Sequence, residues 1–85
     1  MPHACYDVDI TPRAQKDLDS FPTLDRDRIT LKLYALRAGL TGDVKRLRHA
    51  FPDFRLRVGD YRALFAIEAG RIVVYRVRHR REAYR

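Results

Sequence analysis

The sequence predicts an α+β domain of order β-α-α-β-β-β-β, with a two-helix hairpin packed on one face of a mostly antiparallel sheet. Three observations carry this. Apolar residues recur with a helical period before Gly42 and with a period of two after it. Gly59-Asp60 and Ala69-Gly70 break the second half into hairpin-length segments. A hydrophobic fraction of 46% over 85 residues provides one modest core and argues against a disordered basic tail, so residues 1–85 read as a single domain.

Tyr6, Val8 and Ile10 alternate with Asp7 and Asp9, the pattern of a short half-buried strand. Thr11-Pro12 then supplies an N-cap and a proline at the first helical position. Ala14, Leu18 and Phe21 place one apolar face on this helix, and Pro22 ends it. A second helix is expected from about Leu24 to Ala38, burying Ile29, Leu33 and Leu36, with Gly39 as its stop. Residues Val44 to Arg48 suit a short strand, and Phe54 to Val58 alternate clearly. Glycine at the first position of a two-residue turn then sends Tyr61 to Glu68 back along it. After Ala69-Gly70, Arg71 to about His79 forms the last long strand. The helices should cover Phe54, Leu56, Val58, Ala63, Phe65 and Ile67, leaving the other face open.

Charge is distributed unevenly along this scaffold. From Lys45 to the end there are twelve Lys or Arg and four acids, whereas the first 44 residues carry six basic and seven acidic residues. Fifteen of the eighteen basic residues are Arg, whose planar fork matches phosphate bidentately and keeps its proton. This is the footprint of a protein that handles nucleic acid. One cysteine, Cys5, excludes a disulfide framework and a Cys-based zinc cluster. His49 and His79 lack metal-ligand spacing, and no glycine-rich phosphate loop is present, so no metal or cofactor is expected. Without an apolar run for a signal peptide or a span, the expected location is the cytoplasm, away from membranes.

A two-residue Gly59-Asp60 turn pairs Val58 with Tyr61, Arg57 with Arg62, and Leu56 with Ala63. Arg55, Arg57 and Arg62 then share the open face, with Arg57 directly opposite Arg62. Like charges so placed cost stability, which argues for an anion between them. Scattered arginines would need no such account, because their stems cover apolar surface while their heads stay solvated. The segment from Arg78 to Arg85 adds His79, Arg80, Arg81 and Tyr84, a mixture of cations and a ring that suits RNA. The paired acids Asp7/Asp9, Asp17/Asp19 and Asp25/Asp27 read as solvated or as first-turn helix residues.

The block Phe54-Arg-Leu-Arg-Val-Gly-Asp-Tyr-Arg62, the preceding Arg46-Leu47-Arg48 and the ending Val77-Arg-His-Arg-Arg-Glu-Ala-Tyr84-Arg85 resemble the RelE/ParE toxin superfamily. The resemblance implies the toxin of a type II toxin–antitoxin pair. RelE members cleave mRNA in the ribosomal A site, whereas ParE members poison DNA gyrase. The basic residues matching Arg55, Arg57, Arg62 and Arg78, followed by Tyr84, bring the chain closer to RelE. Arg55/Arg57 stand where the best-known RelE has two lysines, and the C-terminal helix of some members is not expected.

On this resemblance Arg57, Arg62, Arg78 and Tyr84 form the catalytic set of an endoribonuclease. Lys45, Arg46, Arg48, Arg55, His79, Arg80 and Arg81 would contact RNA. The 2′-hydroxyl of the substrate attacks its own phosphorus, so no metal is needed. Arginine is a poor base, and His49, His79 and Tyr84 stay open as proton-transfer candidates. The implied partners are mRNA in the ribosomal A site and an acidic, partly disordered antitoxin. A bulge, a longer turn or an early strand end is needed to bring Arg78 beside Arg62, because a strict two-residue turn at Ala69-Gly70 sends it to the helix side.

Overall fold

The computed structural model describes residues 5–83. Its elements are β1 (Asp7–Ile10), α1 (Pro12–Asp19), α2 (Thr23–Ala35), β2 (Asp43–Arg46), β3 (Phe54–Val58), β4 (Tyr61–Glu68), β5 (Arg71–His79) and α3 (Arg80–Ala83). The five strands form one sheet in the order β1-β5-β4-β3-β2. Neighbours are antiparallel from β2 to β5, and β1 lies parallel to β5. Because β1 and β2 occupy opposite edges, the α1–α2 hairpin between them crosses the whole sheet face.

Thr11 starts α1 as expected and also anchors it. Its Oγ1 accepts from the amide of Ala14 at 3.2 Å and donates to the carbonyl of Val74 in β5 at 2.8 Å. One hydroxyl therefore caps the helix and ties it to the sheet. The second helix is shorter than its apolar pattern suggests: α2 stops at Ala35, and Leu36–Ala38 tighten into a 3₁₀ turn before Gly39. Ala14 and Leu18 of α1, with Ile29, Leu33 and Leu36, pack fully buried on Leu56, Phe65, Ile72, Val74 and Val77 of the sheet. Phe54 stacks on Phe65 with ring centroids 5.3 Å apart.

The β3–β4 hairpin has the expected register, with Val58 opposite Tyr61, Arg57 opposite Arg62 and Leu56 opposite Ala63. Gly59 turns the chain at φ 59°, a left-handed conformation that favours glycine; a Cβ built there would lie 2.9 Å from a guanidinium nitrogen of Arg28, whose exposed side chain could move aside. Along β4 and β5 the register shifts once: Phe65 pairs with Val74 but Leu64 pairs with Arg76, leaving Tyr75 as an extra residue. This is the bulge among the three anticipated devices, and it restores Arg78 to a position opposite Arg62.

The face away from the helices is not uniformly open. Ala66 there is only 3% exposed, and its neighbours Leu64 and Val73 are half-buried. Tyr75 donates its hydroxyl to Glu68, and its ring meets Phe51 of the β2–β3 loop at 5.3 Å. The chain also makes a single helical turn, α3, at its C-terminal end, where no helix was expected. No described helix is long and apolar enough to cross a membrane.

Candidate nucleic-acid interface and active site

Strand pairing lays the polar residues of the open face out in two cross-strand rows. The first runs Asp43–Arg57–Arg62–Arg78 over β2, β3, β4 and β5. The second runs Lys45–Arg55–Leu64–Arg76 over the same strands. With about 4.8 Å between neighbouring strands, the three arginines of the first row span roughly 10 Å. Arg57, Gly59, Asp60, Arg62 and Arg80 line a pocket of about 230 Å³ at the hairpin end of this row. A wider hollow of about 980 Å³ lies along residues 46–53, bounded by Arg46, Arg48, His49 and Phe51, and shares no lining residue with the row. Convergent cations, not volume, mark the candidate site.

The anion expected between the opposed arginines is partly supplied by the protein. Asp43 receives Arg57 Nε at 2.9 Å and Arg55 Nη2 at 3.3 Å. The premise that a sheet would oppose Arg57 and Arg62 only around a bound anion is corrected accordingly. Asp43 went unnoticed in the sequence because nothing local links it to a strand that follows a seven-residue loop. The compensation is incomplete: the Nε atoms of Arg55 and Arg78 are buried and have no hydrogen-bond partner among the described residues. A buried donor left unpaired costs free energy that an incoming acceptor recovers. Both donors lie on strands that frame Arg62.

Arg76 shares the face by register but reaches round to the helix layer. Its Nε donates to Asp17 of α1 at 2.8 Å, and the amide of Val77 donates to the same carboxylate oxygen at 2.9 Å. Asp17 is thus a structural partner of β5 and not a solvated helix residue. Asp25 is likewise engaged, accepting the Tyr61 hydroxyl at 2.8 Å. Burial, and then this bond to Asp25, push the Tyr61 phenol above its ordinary pKa. Asp9 meets Arg71 at 3.3 Å.

The remaining predicted contact residues divide between locations. Lys45 and Arg55 join the open face, and Arg80 borders the pocket with its Nη1 3.9 Å from Asp60. Arg81 lies beside Arg80 in a neighbouring hollow of about 580 Å³. Arg46 is set apart: it is paired with Phe54 on the helix side, covers that ring at 5.8 Å and meets Asp53 at 3.5 Å. Arg48 and His49 are exposed in the loop after β2. His79 pairs with Tyr61, also on the helix side; its ring meets Tyr61 edge-on at 5.0 Å, and its Nδ1 accepts the amide of Arg81 at 3.1 Å. Neither imidazole belongs to the arginine row. Tyr84 lies outside the described residues.

Comparison with known proteins agrees with this architecture. A chain of the RelBE2 toxin–antitoxin complex from Mycobacterium tuberculosis superposes with a TM-score of 0.76 at 28% identity, covering 89% of this chain and 99% of that one. A chain of the RelB–RelE antitoxin–toxin complex from Methanococcus jannaschii gives 0.76 at 28% identity, covering 89% and 94%. One from the archaeal RelE–RelB complex of Pyrococcus horikoshii gives 0.75 at 25%, covering 89% and 96%. No curated protein sequence matches significantly. Residues 8–84 match the family model for the ParE toxin of type II toxin–antitoxin systems, and the chain belongs to that family, within the RelE/ParE toxin superfamily.

Proposed function

We propose that this toxin is a ribosome-dependent endoribonuclease that cleaves mRNA in the A site, and that Arg57, Arg62 and Arg78 bind the scissile phosphate. The observation that carries the proposal is the cross-strand arginine row with a buried, unpartnered Nε on Arg78. In the reaction the 2′-oxygen forms a bond to the adjacent phosphorus as the bond to the 5′-oxygen breaks. The products are a 2′,3′-cyclic phosphate and a 5′-hydroxyl. Negative charge grows on the non-bridging oxygens, and the guanidinium groups stabilise it more strongly than they stabilise the ground state.

The row contributes charge and orientation, not proton transfer, since arginine stays protonated. With His79 turned to the helix side, Tyr84 is the proposed group nearest in sequence for acid–base work. Modest acid–base power in the toxin fits an enzyme whose substrate is held in line by the ribosome. Lys45, Arg55, Arg80 and Arg81 extend the phosphate-binding surface along the RNA strand, and an acidic, partly disordered antitoxin is the protein partner that so basic a chain suits, in the cytoplasm. The three solved relatives described above come from toxin–antitoxin complexes, which supports that partner.

The match to a ParE family model favours a second reading, a gyrase inhibitor that binds without cutting. One pair of assays separates the two. Primer extension on mRNA from a purified translation system should map cuts within the A-site codon. Uncut mRNA together with trapped gyrase–DNA cleavage complexes would establish the second reading instead.

A further inference from the structure

The arginines of the open face are held unequally. At the β2 side, Asp43 holds Arg57 at 2.9 Å and Arg55 at 3.3 Å. The Nε of Arg55, in the second row, and that of Arg78, at the β5 end of the first, are buried with no partner among the described residues. We infer that Asp43 is a positioning residue: it fixes the Arg57 guanidinium, occupies its Nε donor, and thereby directs the first contact of a phosphodiester to the Arg78 end, leaving the terminal nitrogens of Arg57 to meet the charge that develops in the transition state. The inference rests on the reading of this face as a phosphate-binding surface.

The physical argument concerns competition and order. A carboxylate and a phosphate oxygen take the same donors from a guanidinium. Arg57 Nε already donates to Asp43, so a phosphate approaching there must displace a charge-assisted bond. At Arg78 Nε an incoming oxygen displaces no bond to a described residue and relieves a buried donor. Asp43 also limits the rotamers of Arg57, whose side chain is 53% exposed and would otherwise be mobile. Removing the Asp43 charge should therefore have two effects of opposite sign: more cation available for ground-state binding, and a less ordered Arg57 in the transition state.

The test has a binding arm and a cleavage arm. In the full-length wild-type protein, titration with inorganic phosphate should shift the arginine Nε–Hε resonance of Arg78 and leave that of Arg57 nearly unmoved. Substitution of each arginine by lysine assigns the signals. In Asp43→Asn, Arg57 should join the response, and phosphate affinity should rise about two- to fivefold, the worth of an exposed ion pair. In the translation assay, Asp43→Asn should lower KM while kcat falls about tenfold, within the ~10² that mispositioning costs. Asp43→Glu should recover most of kcat, which a purely structural role would not explain.

A wild-type titration in which Arg57 shifts as much as Arg78 overturns the inference without any variant. So does an Asp43→Asn protein whose phosphate response and KM–kcat split are unchanged. If the wild type cuts no mRNA yet Arg78 alone responds to phosphate, the nuclease reading fails and the directed anion site stands.

Discussion

On the helix-covered side of the sheet Leu56, Ala63, Phe65 and Val77 are at most 1% exposed, whereas Arg55, Arg57, Arg62 and Arg78, which alternate with them, all retain solvent exposure. The two sets come from the same strands and differ only in which way the pleat turns them. The apolar set meets two helices and provides the burial that holds the fold together. The cationic set accumulates like charge on one face, which lowers stability and is tolerated because the opposite face compensates. If the cationic face carries the proposed activity, separation by face should make stability and activity independently mutable.

The largest expected effects test that separation directly. Phe65→Ala removes a fully buried ring from the centre of the sheet and should destabilise by about 3–5 kcal/mol in urea unfolding. Arg62→Ala should leave the urea midpoint nearly unchanged and lower the cleavage rate by about 10²–10³, as loss of one transition-state donor does. An Arg62→Ala toxin that folds and still arrests growth at full strength would break the comparison.

Much of this division was legible in the sequence because it is local. The alternation Phe54-Arg-Leu-Arg-Val and the two-residue turn at Gly59-Asp60 determine which side chains share a face, and both follow from short-range geometry. The bulge at Tyr75 could be narrowed only to one of three devices, since an extra residue leaves no local mark on the pattern. The acids were legible least. Asp17 reaches Arg76 from 59 positions away and Asp25 reaches Tyr61 from 36. Asp43 depends on the pairing of β2 with β3, and β1 finds β5 only once the whole meander is folded. Periodicity assigns faces; it does not assign partners across the chain.

Asp17 offers the next sharpest test because it breaks the division. It lies in the helix layer, yet its side chain, 13% exposed, holds Arg76 and the amide of Val77. Asp17→Ala should cost about 1–3 kcal/mol, the range for leaving such donors unsatisfied. The loss should appear in chemical denaturation with little change in RNA cleavage per folded molecule. A variant as stable as wild type would mean that the bulge needs no anchor from α1.

A smaller effect belongs to Tyr61 at the hairpin end of the helix side. Its pKa is raised in the folded state by burial and by the bond to Asp25. The folded protein therefore holds this proton more tightly than the unfolded chain does. The associated stability is complete below the unfolded phenol pKa of about 10 and is lost as pH rises through the higher folded value. Tyr61→Phe should flatten that alkaline decline and cost about 0.5–1.5 kcal/mol at neutral pH. Thermal melts of both proteins from neutral to strongly alkaline pH would check both parts. An identical alkaline decline in the two would assign it to other groups.

The finest test uses two neighbouring cations on β2. Lys45 pairs with Arg55 on the open face, whereas Arg46 pairs with Phe54 on the helix side. Composition and net charge cannot tell them apart, and both were expected to contact RNA. If the face decides, Lys45→Ala should reduce the slope of log affinity against log salt for a single-stranded RNA by about 0.7, the share of one phosphate contact. Arg46→Ala should leave that slope unchanged and instead forfeit its ion pair with Asp53 and its place over the Phe54 ring. Exposed contacts of these kinds are each worth about 1 kcal/mol or less, so the stability change should be small. Equal slope changes for the two variants would mean that RNA wraps round the β2 edge, and the open face would then be only part of the interface.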